Sequence, residues 1–198
     1  MAQLFVVVVI LQNDNILLTQ REDFAVWCLP GGLVEPHETL DAAAIREVFE
    51  ETGMQVELTH LVGLLSKPNW RRDGTHTAVF AARPLTLTLN ADPNEVAALG
   101  FYPLDRLPEP LLWEHGQLIA AARRGAAGHV WVNRAQTPPR FADRTELYAW
   151  RDGSGLSRQG AYRQLMQEIG PQTVEIVLGP GRGTVVVEEP INQLDTMN

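Results

Sequence analysis

The chain opens on an apolar run, Leu4 to Leu11, with no polar residue to mark a wet face, and such a run predicts a strand buried on both sides of a sheet. Asn13-Asp14-Asn15 then breaks the pattern and ILLTQRE resumes it, so two strands joined by a turn are expected. From Leu40 to Thr52 there is no Gly or Pro, and Ala, Leu, Ile, Arg and Glu dominate, which predicts a helix. Thr39 is suited to cap its start and Gly53 to end it in the left-handed conformation. On a helical period Ala42, Ile45, Val48, Phe49 and Thr52 share one side, expected to pack, while Glu47, Glu50 and Glu51 share the other.

Further on, Gln55 to Ser66 predicts one or two strands, KPNWRRDG a polar loop, and THTAVFAARP a strand. The Leu/Thr alternation from Leu85 to Leu89 predicts another strand with one wet face, and NADPNEVA a loop. Leu111 to Arg124 reads as an amphipathic helix ended by Gly125. Beyond it HVWV is a candidate strand, TPPRFADR a loop, and RTELYAWRDGSG a strand ending in a flexible turn. Ser157 caps a helix through Ile169, with Ala161, Tyr162, Leu165, Met166 and Ile169 on one stripe and Gly170-Pro171 as its stop. TVEIVLGPGRGTVVVEE reads as a hairpin turning at Gly-Pro-Gly.

Composition narrows the class. A chain of 198 residues, 45% hydrophobic and 20% charged, suits one well-cored globular domain with a small appendage. The net charge of −8 argues against an electrostatic nucleic-acid binder but not against a nucleotide substrate, because a bound cation supplies local positive charge. A single cysteine, Cys28, excludes an internal disulfide framework, fits a reducing compartment, and reads as a small buried hydrophobe. The first apolar run is too short to span a bilayer and has no basic flank, so no membrane partner and a cytoplasmic location are expected.

The chemistry gathers between Leu29 and Met54. Glu47, Glu50 and Glu51 stand at i, i+3 and i+4 and repel one another. A hard divalent cation removes that penalty, and an all-oxygen ligand set completed by water and phosphate selects Mg2+ or Mn2+. Arg46 is spaced to pair with Glu50, and Ala43 and Ala44 flank the acidic face. Three glutamates alone read equally well as a solvated helix face. What decides against that reading is register: Gly32, Glu38, Arg46, Glu47, Val48, Glu50, Glu51, Gly53 and Met54 fill the pattern GX5EX7REUXEEXGU, U being bulky and apolar.

That pattern is the signature of the Nudix hydrolase superfamily, which the chain resembles over residues 3 to 125. The resemblance implies an α+β fold, an α/β/α sandwich around a mixed sheet, in which GFYPLDRLPEP is the strand and turn before the last helix. Residues 1–125 are then the Nudix domain, and 126–198 a C-terminal α+β extension of strand, helix and hairpin with no recognised relative. Three roles are open to the extension: covering the substrate pocket, forming a homodimer contact, or enlarging the sheet.

The resemblance also implies metal-dependent hydrolysis of a diphosphate linkage in a nucleoside diphosphate derivative: ADP-ribose, a nucleotide sugar or a noncanonical nucleoside triphosphate. Gly31, through its carbonyl, with Glu47, Glu50 and Glu51, would hold the metal. Glu47 or Glu95 would be the base, with Asp92 a weaker substitute, and Gly32, Glu38, Arg46 and Gly53 would support the site. Arg21 stands where some relatives place a phosphate-contacting arginine. Trp27, Phe24 and Trp70 suit stacking on a ring, and Arg71 and Arg72 suit an anionic ligand. The five histidines, His37 and His76 among them, show no metal-ligand spacing. The rival reading is a nucleotide-sensing module that binds without cleaving and acts through the extension; the intact set of glutamates disfavours it.

Overall fold

A computed structural model describes residues 2–91, 96–170, 172–179 and 183–187, the side chains of 172 and 185–187 excepted. Its elements in chain order are β1 (Gln3–Gln12), β2 (Asn15–Arg21), β3 (Trp27–Cys28), β4 (Gly31–Leu33), α1 (Leu40–Thr52), β5 (Val56–Lys67), β6 (Thr75–Pro84) and β7 (Val96–Pro103). There follow α2 (His115–Arg123), β8 (His129–Asn133), α3 (Arg144–Gly153), α4 (Arg158–Ile169), β9 (Gln172–Leu178) and β10 (Gly183–Val187). The strands form one mixed sheet in the order β10-β9-β8-β5-β6-β1-β2-β3, with β4 also on β1 and β7 also on β2.

β1 is covered on both faces because its side chains serve two cores. Val6, Val8 and Ile10 face α1 and pack with Ala43, Ala44 and Val48. Val7 and Val9 face α2 and pack with Leu118, Ile119, Ala121 and Ala122. A helix on each face gives the expected α/β/α sandwich. The two-residue turn after β1 places Asn13 and Asp14 at φ 48° and 59°, the left-handed pair that keeps a tight hairpin in register with the strand twist.

α1 spans the expected residues and ends on Gly53 at φ 68°, but its packing face differs from expectation. The buried positions are Ala43, Ala44, Val48 and Thr52, while Ile45 and Phe49 are 43% and 53% exposed and Ala42 is exposed too. The small alanines let the helix lie close on the sheet, and that close approach sets the rotation. Ala43 and Ala44 are therefore core residues, not a clearing beside the acidic face. Thr39 occupies the cap position without a side-chain bond to the helix amides.

Three more elements differ. Leu85 to Leu89 is not a strand: Leu85 and Leu87 point outward, and the segment is pinned by Leu85 N–H to the Gln55 carbonyl and Asn90 N–H to the Thr52 carbonyl, both 2.8 Å. α2 starts only at His115, because Leu112 N–H is drawn to the Trp27 carbonyl at 2.7 Å. RTELYAWRDG is the helix α3 and not a strand. Asp143 accepts from Thr145 N–H (2.8 Å) and Glu146 N–H (3.0 Å), while Glu146 Oε2 accepts from Ala142 N–H (2.7 Å), a close variant of the capping box. α4 behaves as expected, with the Ser157 hydroxyl accepting from Gly160 N–H at 3.0 Å.

Past residue 125 the chain continues both sheet and core. β8 runs parallel to β5, β9 and β10 add the hairpin, and Trp131 and Val174 join the cluster under α2. The hairpin's turn at 180–182 lies outside the described residues. α3 and α4 build a third cluster with Phe24, Val26 and Trp113. The β5–β8 seam requires Gly63, since a Cβ there would stand 2.2 Å from the His129 carbonyl oxygen and 2.6 Å from the Trp131 ring. Gly63→Ala is expected to cost about 1–3 kcal/mol and to lower Tm by on the order of 2–12 °C in a thermal melt. Gly153→Ala, where a Cβ meets nothing within 4 Å, should leave Tm unchanged or slightly raised.

Candidate functional site

The glycine bend and α1 meet at the carboxylates. Gly31, at φ 152°, lies so close to β1 that a Cβ would stand 2.2 Å from the Val6 carbonyl oxygen. Its N–H donates to Glu51 Oε2 at 3.2 Å. At Gly32 a Cβ would fall 2.4–2.5 Å from the three atoms of the Glu47 carboxylate group, so that carboxylate rests where any other residue would place a side chain. Glu47 and Glu51 are thus gathered on the bend, and Glu50, on the same helix, is 52% exposed.

Arg46 holds this arrangement. Its guanidinium donates to both oxygens of Glu38 (2.8 Å each), to Glu47 Oε1 and Glu50 Oε2 (2.9 Å each), and to the Leu33 carbonyl (3.1 Å). Glu38 also accepts from Glu35 N–H at 3.1 Å, tying the loop before α1 to the helix. The Arg46 hydrogen bonds, followed by the Glu35 amide, hold the Glu38 carboxyl down to about 2 from 4.5.

A cavity of about 580 Å³ opens beside the bend, with Gly31 and Gly32 in its lining. Arg21, Trp70, Arg71 and Arg72 line it. Trp27 does not: it is 9% exposed and packs edge-on against Tyr102 at 4.8 Å, a core residue already occupied as a stacking surface. Phe24 lines the cavity but is also packed against Tyr148. Glu95 and Asp92 lie outside the described residues. Cys28 is buried against the Thr19 hydroxyl, and burial, then the charge of Glu51, pushes its thiol up to about 12, which leaves it inert as a nucleophile.

The cavity's other walls come from residues with no site role in the sequence motif. Glu114 is 2% exposed and paired with Lys67, whose ammonium sits 5.8 Å from the ring centres of both Trp70 and Trp113. The second oxygen of Glu114, Oε2, is buried without a hydrogen-bond partner. His115, next in the chain, accepts from Leu29 N–H through Nδ1 at 2.9 Å and so fixes the strand that leads into the bend. On the far side the wall is the extension itself: Phe141 and residues of α3 and α4, including Arg144, Tyr148 and Met166. Asp23 joins the two sides, accepting from Arg21 through both oxygens, from Tyr148 at 2.7 Å and from Arg144 at 3.3 Å. The Asp143–Glu146 spacing is the one sequence signal that could have announced this wall.

The donor set at the bend is all oxygen and suits a hard divalent cation. Among the described residues no three acidic, imidazole or thiol groups already converge on one point. Mg2+ does not need them to, because it keeps several waters and takes few carboxylates.

A sandwich with a carboxylate helix seated on a glycine bend at the mouth of a basic, aromatic cavity is the architecture of a phosphoanhydride-processing fold. The chain belongs to the Nudix hydrolase family: the family model of the NUDIX domain matches residues 2–122. It is 32% identical over 123 residues to a MutT-like protein of Streptomyces ambofaciens, a match covering 62% of this chain and 77% of that one. It is 37% identical over 138 residues to the human 8-oxo-dGDP phosphatase NUDT18, covering 64% of this chain and 41% of that one, so it spans about two-fifths of that relative's length. Among solved structures, an ADP-ribose pyrophosphatase of Streptococcus suis superposes with a TM-score of 0.54 at 29% identity, covering 66% of this chain and 98% of that one. Among the described residues no helix is long and apolar enough to cross a membrane.

Two pH-dependent outcomes follow from these contacts. Glu38 titrates at about 2 in the folded chain and 4.5 unfolded, so its contribution to stability is complete above 4.5 and is lost as pH falls toward 2. Carboxyl NMR should find its midpoint near 2 and see it return toward 4.5 in Arg46→Ala. His115 is pushed down to about 4 by burial, against its ordinary 6.5, so the unfolded chain takes up the proton first and stability falls as pH drops from 6.5 to 4. Urea titrations across that window should show a shallower decline in His115→Gln than in the parent chain.

Proposed function

We propose that the protein is a divalent-metal-dependent hydrolase that cleaves a diphosphate linkage in a nucleoside diphosphate derivative. The observation that carries this reading is the seating of Glu47 and Glu51 on the Gly31–Gly32 bend at the edge of the cavity. Glu47, Glu50 and Glu51, with the Gly31 carbonyl, would hold the Mg2+ or Mn2+. When bound, that cation offsets phosphate charge and lowers the pKa of an attacking water. Glu47 takes the proton as general base, and Arg46 and Glu38 keep the helix and loop in register while it does so.

Arg21, Arg71 and Arg72 face the phosphorylated ligand from the cavity wall, and the half-buried Trp70 stacks on the base or sugar. The human relative named an 8-oxo-dGDP phosphatase and the neighbour named an ADP-ribose pyrophosphatase both fall within this substrate class.

The test is release of a nucleoside monophosphate from a panel of nucleotides with Mg2+ and with Mn2+. Glu51→Gln should reduce kcat by at least about 10²-fold while circular dichroism and Tm remain those of a folded chain. Retained turnover would sink the assignment of Glu51, and metal-dependent binding of the panel without turnover in the parent chain would favour the sensing module instead.

A further inference from the structure

The lining of the cavity sets five cations, Arg21, Lys67, Arg71, Arg72 and Arg144, against four carboxylates, Asp23, Asp73, Glu114 and Asp143. Arg21 and Arg144 share a single acid, Asp23, whose oxygens also accept from Tyr148 (2.7 Å) and Phe24 N–H (2.9 Å). Arg71 has no ion pair among the described residues; it donates to Gln3 Oε1 at 2.6 Å and lies over the Phe5 ring at 5.6 Å. Packing around Arg71, and then the charges of Arg144 and Arg21, push its pKa down, the mark of cations crowding one another. Arg21 and Arg144 thus share one saturated carboxylate, and Arg71, without an ion pair among the described residues, lines the same cavity beside them, an arrangement that a doubly charged anion would bridge.

Resting on the proposed nucleotide substrate, we infer that Arg21, Arg71 and Arg144 form a phosphate subsite, completed by the C-terminal extension, for a phosphate additional to the scissile diphosphate. Arg144 is the selective member, because it comes from α3, outside the residues matched to the family. The extension therefore chooses among diphosphate derivatives by the extra charge they carry. That charge is either a third phosphate in line or a phosphomonoester on the sugar, and both present the same dianionic oxygens to the rim.

Calorimetric binding in EDTA, with no metal and no turnover, tests this with two ligand pairs: GTP against GDP, and 2′-phospho-ADP-ribose against ADP-ribose. The full chain should bind the extra-phosphate member of at least one pair about tenfold more tightly, the order expected of one further charge-assisted contact. The pair that shows the preference identifies the source of the phosphate. Arg144→Gln and Arg71→Gln should each bring the preference to near unity, and Arg144→Lys should restore part of it. No preference in the parent chain for either pair, or no binding of any of the four ligands, overturns the subsite. So does equal weakening of both members of the preferred pair in Arg144→Gln, the signature of a merely structural arginine. Should Arg144→Gln fail to fold, Arg71→Gln and Arg144→Lys decide on the same terms. Because binding is read without catalysis, loss of the hydrolase reading would not by itself remove this result, nor the reverse.

Discussion

There is no room for a side chain at residues 31 and 32, and the placement of the acidic helix depends on that exclusion. β4 pairs with β1, so the bend is held against a strand that is buried on both faces. The missing Cβ of Gly31 lets the chain lie on the Val6 carbonyl, and the missing Cβ of Gly32 leaves the space that the Glu47 carboxylate fills. The position of two carboxylates relative to the sheet is thereby set by backbone, the stiffest part of the molecule. Arg46 supplies the complementary restraint from the outside, spreading one guanidinium across Glu38, Glu47 and Glu50 so that like charges on one helix face share a cation.

The same economy of restraint explains how residues past 125 belong to the site. Arg158 donates to Glu22, Arg151 to the Asp23 carbonyl at 2.8 Å, and Gln159 to the Ala25 carbonyl at 3.2 Å. All three hold the loop between β2 and β3, which carries Asp23 and directs Arg21. The apolar side of that loop, Phe24 and Val26, is buried by α4. Sheet extension and cavity wall are therefore one construction: β8 anchors the segment to β5, and the helices it carries are delivered onto the loop beside the bend.

Where local pattern suffices, the sequence could be read correctly. An apolar run with no alternation has to be covered twice, and Val6 to Ile10 is covered twice. The spacing from Gly32 to Met54 located helix, bend and carboxylates together. The face of α1 was misjudged because hydrophobicity ranks Ile45 and Phe49 above Ala43 and Ala44, whereas a helix lying close on a sheet buries its smallest residues. α3 was misjudged because Thr, Tyr and Trp raise strand propensity, and the cap that overrides them is a pair of acids at Asp143 and Glu146. The cavity was the least legible part. Arg21, Lys67, Glu114 and Arg144 come from four distant segments, and no spacing in a single chain encodes their meeting.

Their meeting makes the local balance of charge differ from the average of the chain. A chain with 24 acidic and 16 basic side chains repels a nucleotide on average. At the cavity, however, Arg21, Lys67, Arg71, Arg72 and Arg144 are drawn into one lining, while the carboxylates of α1 are confined behind the glycine bend. The phosphorylated ligand proposed above would meet arginines at the rim and the carboxylates of Glu47 and Glu51 at the bend, and the proposed cation, joined to those carboxylates, would remove the repulsion there.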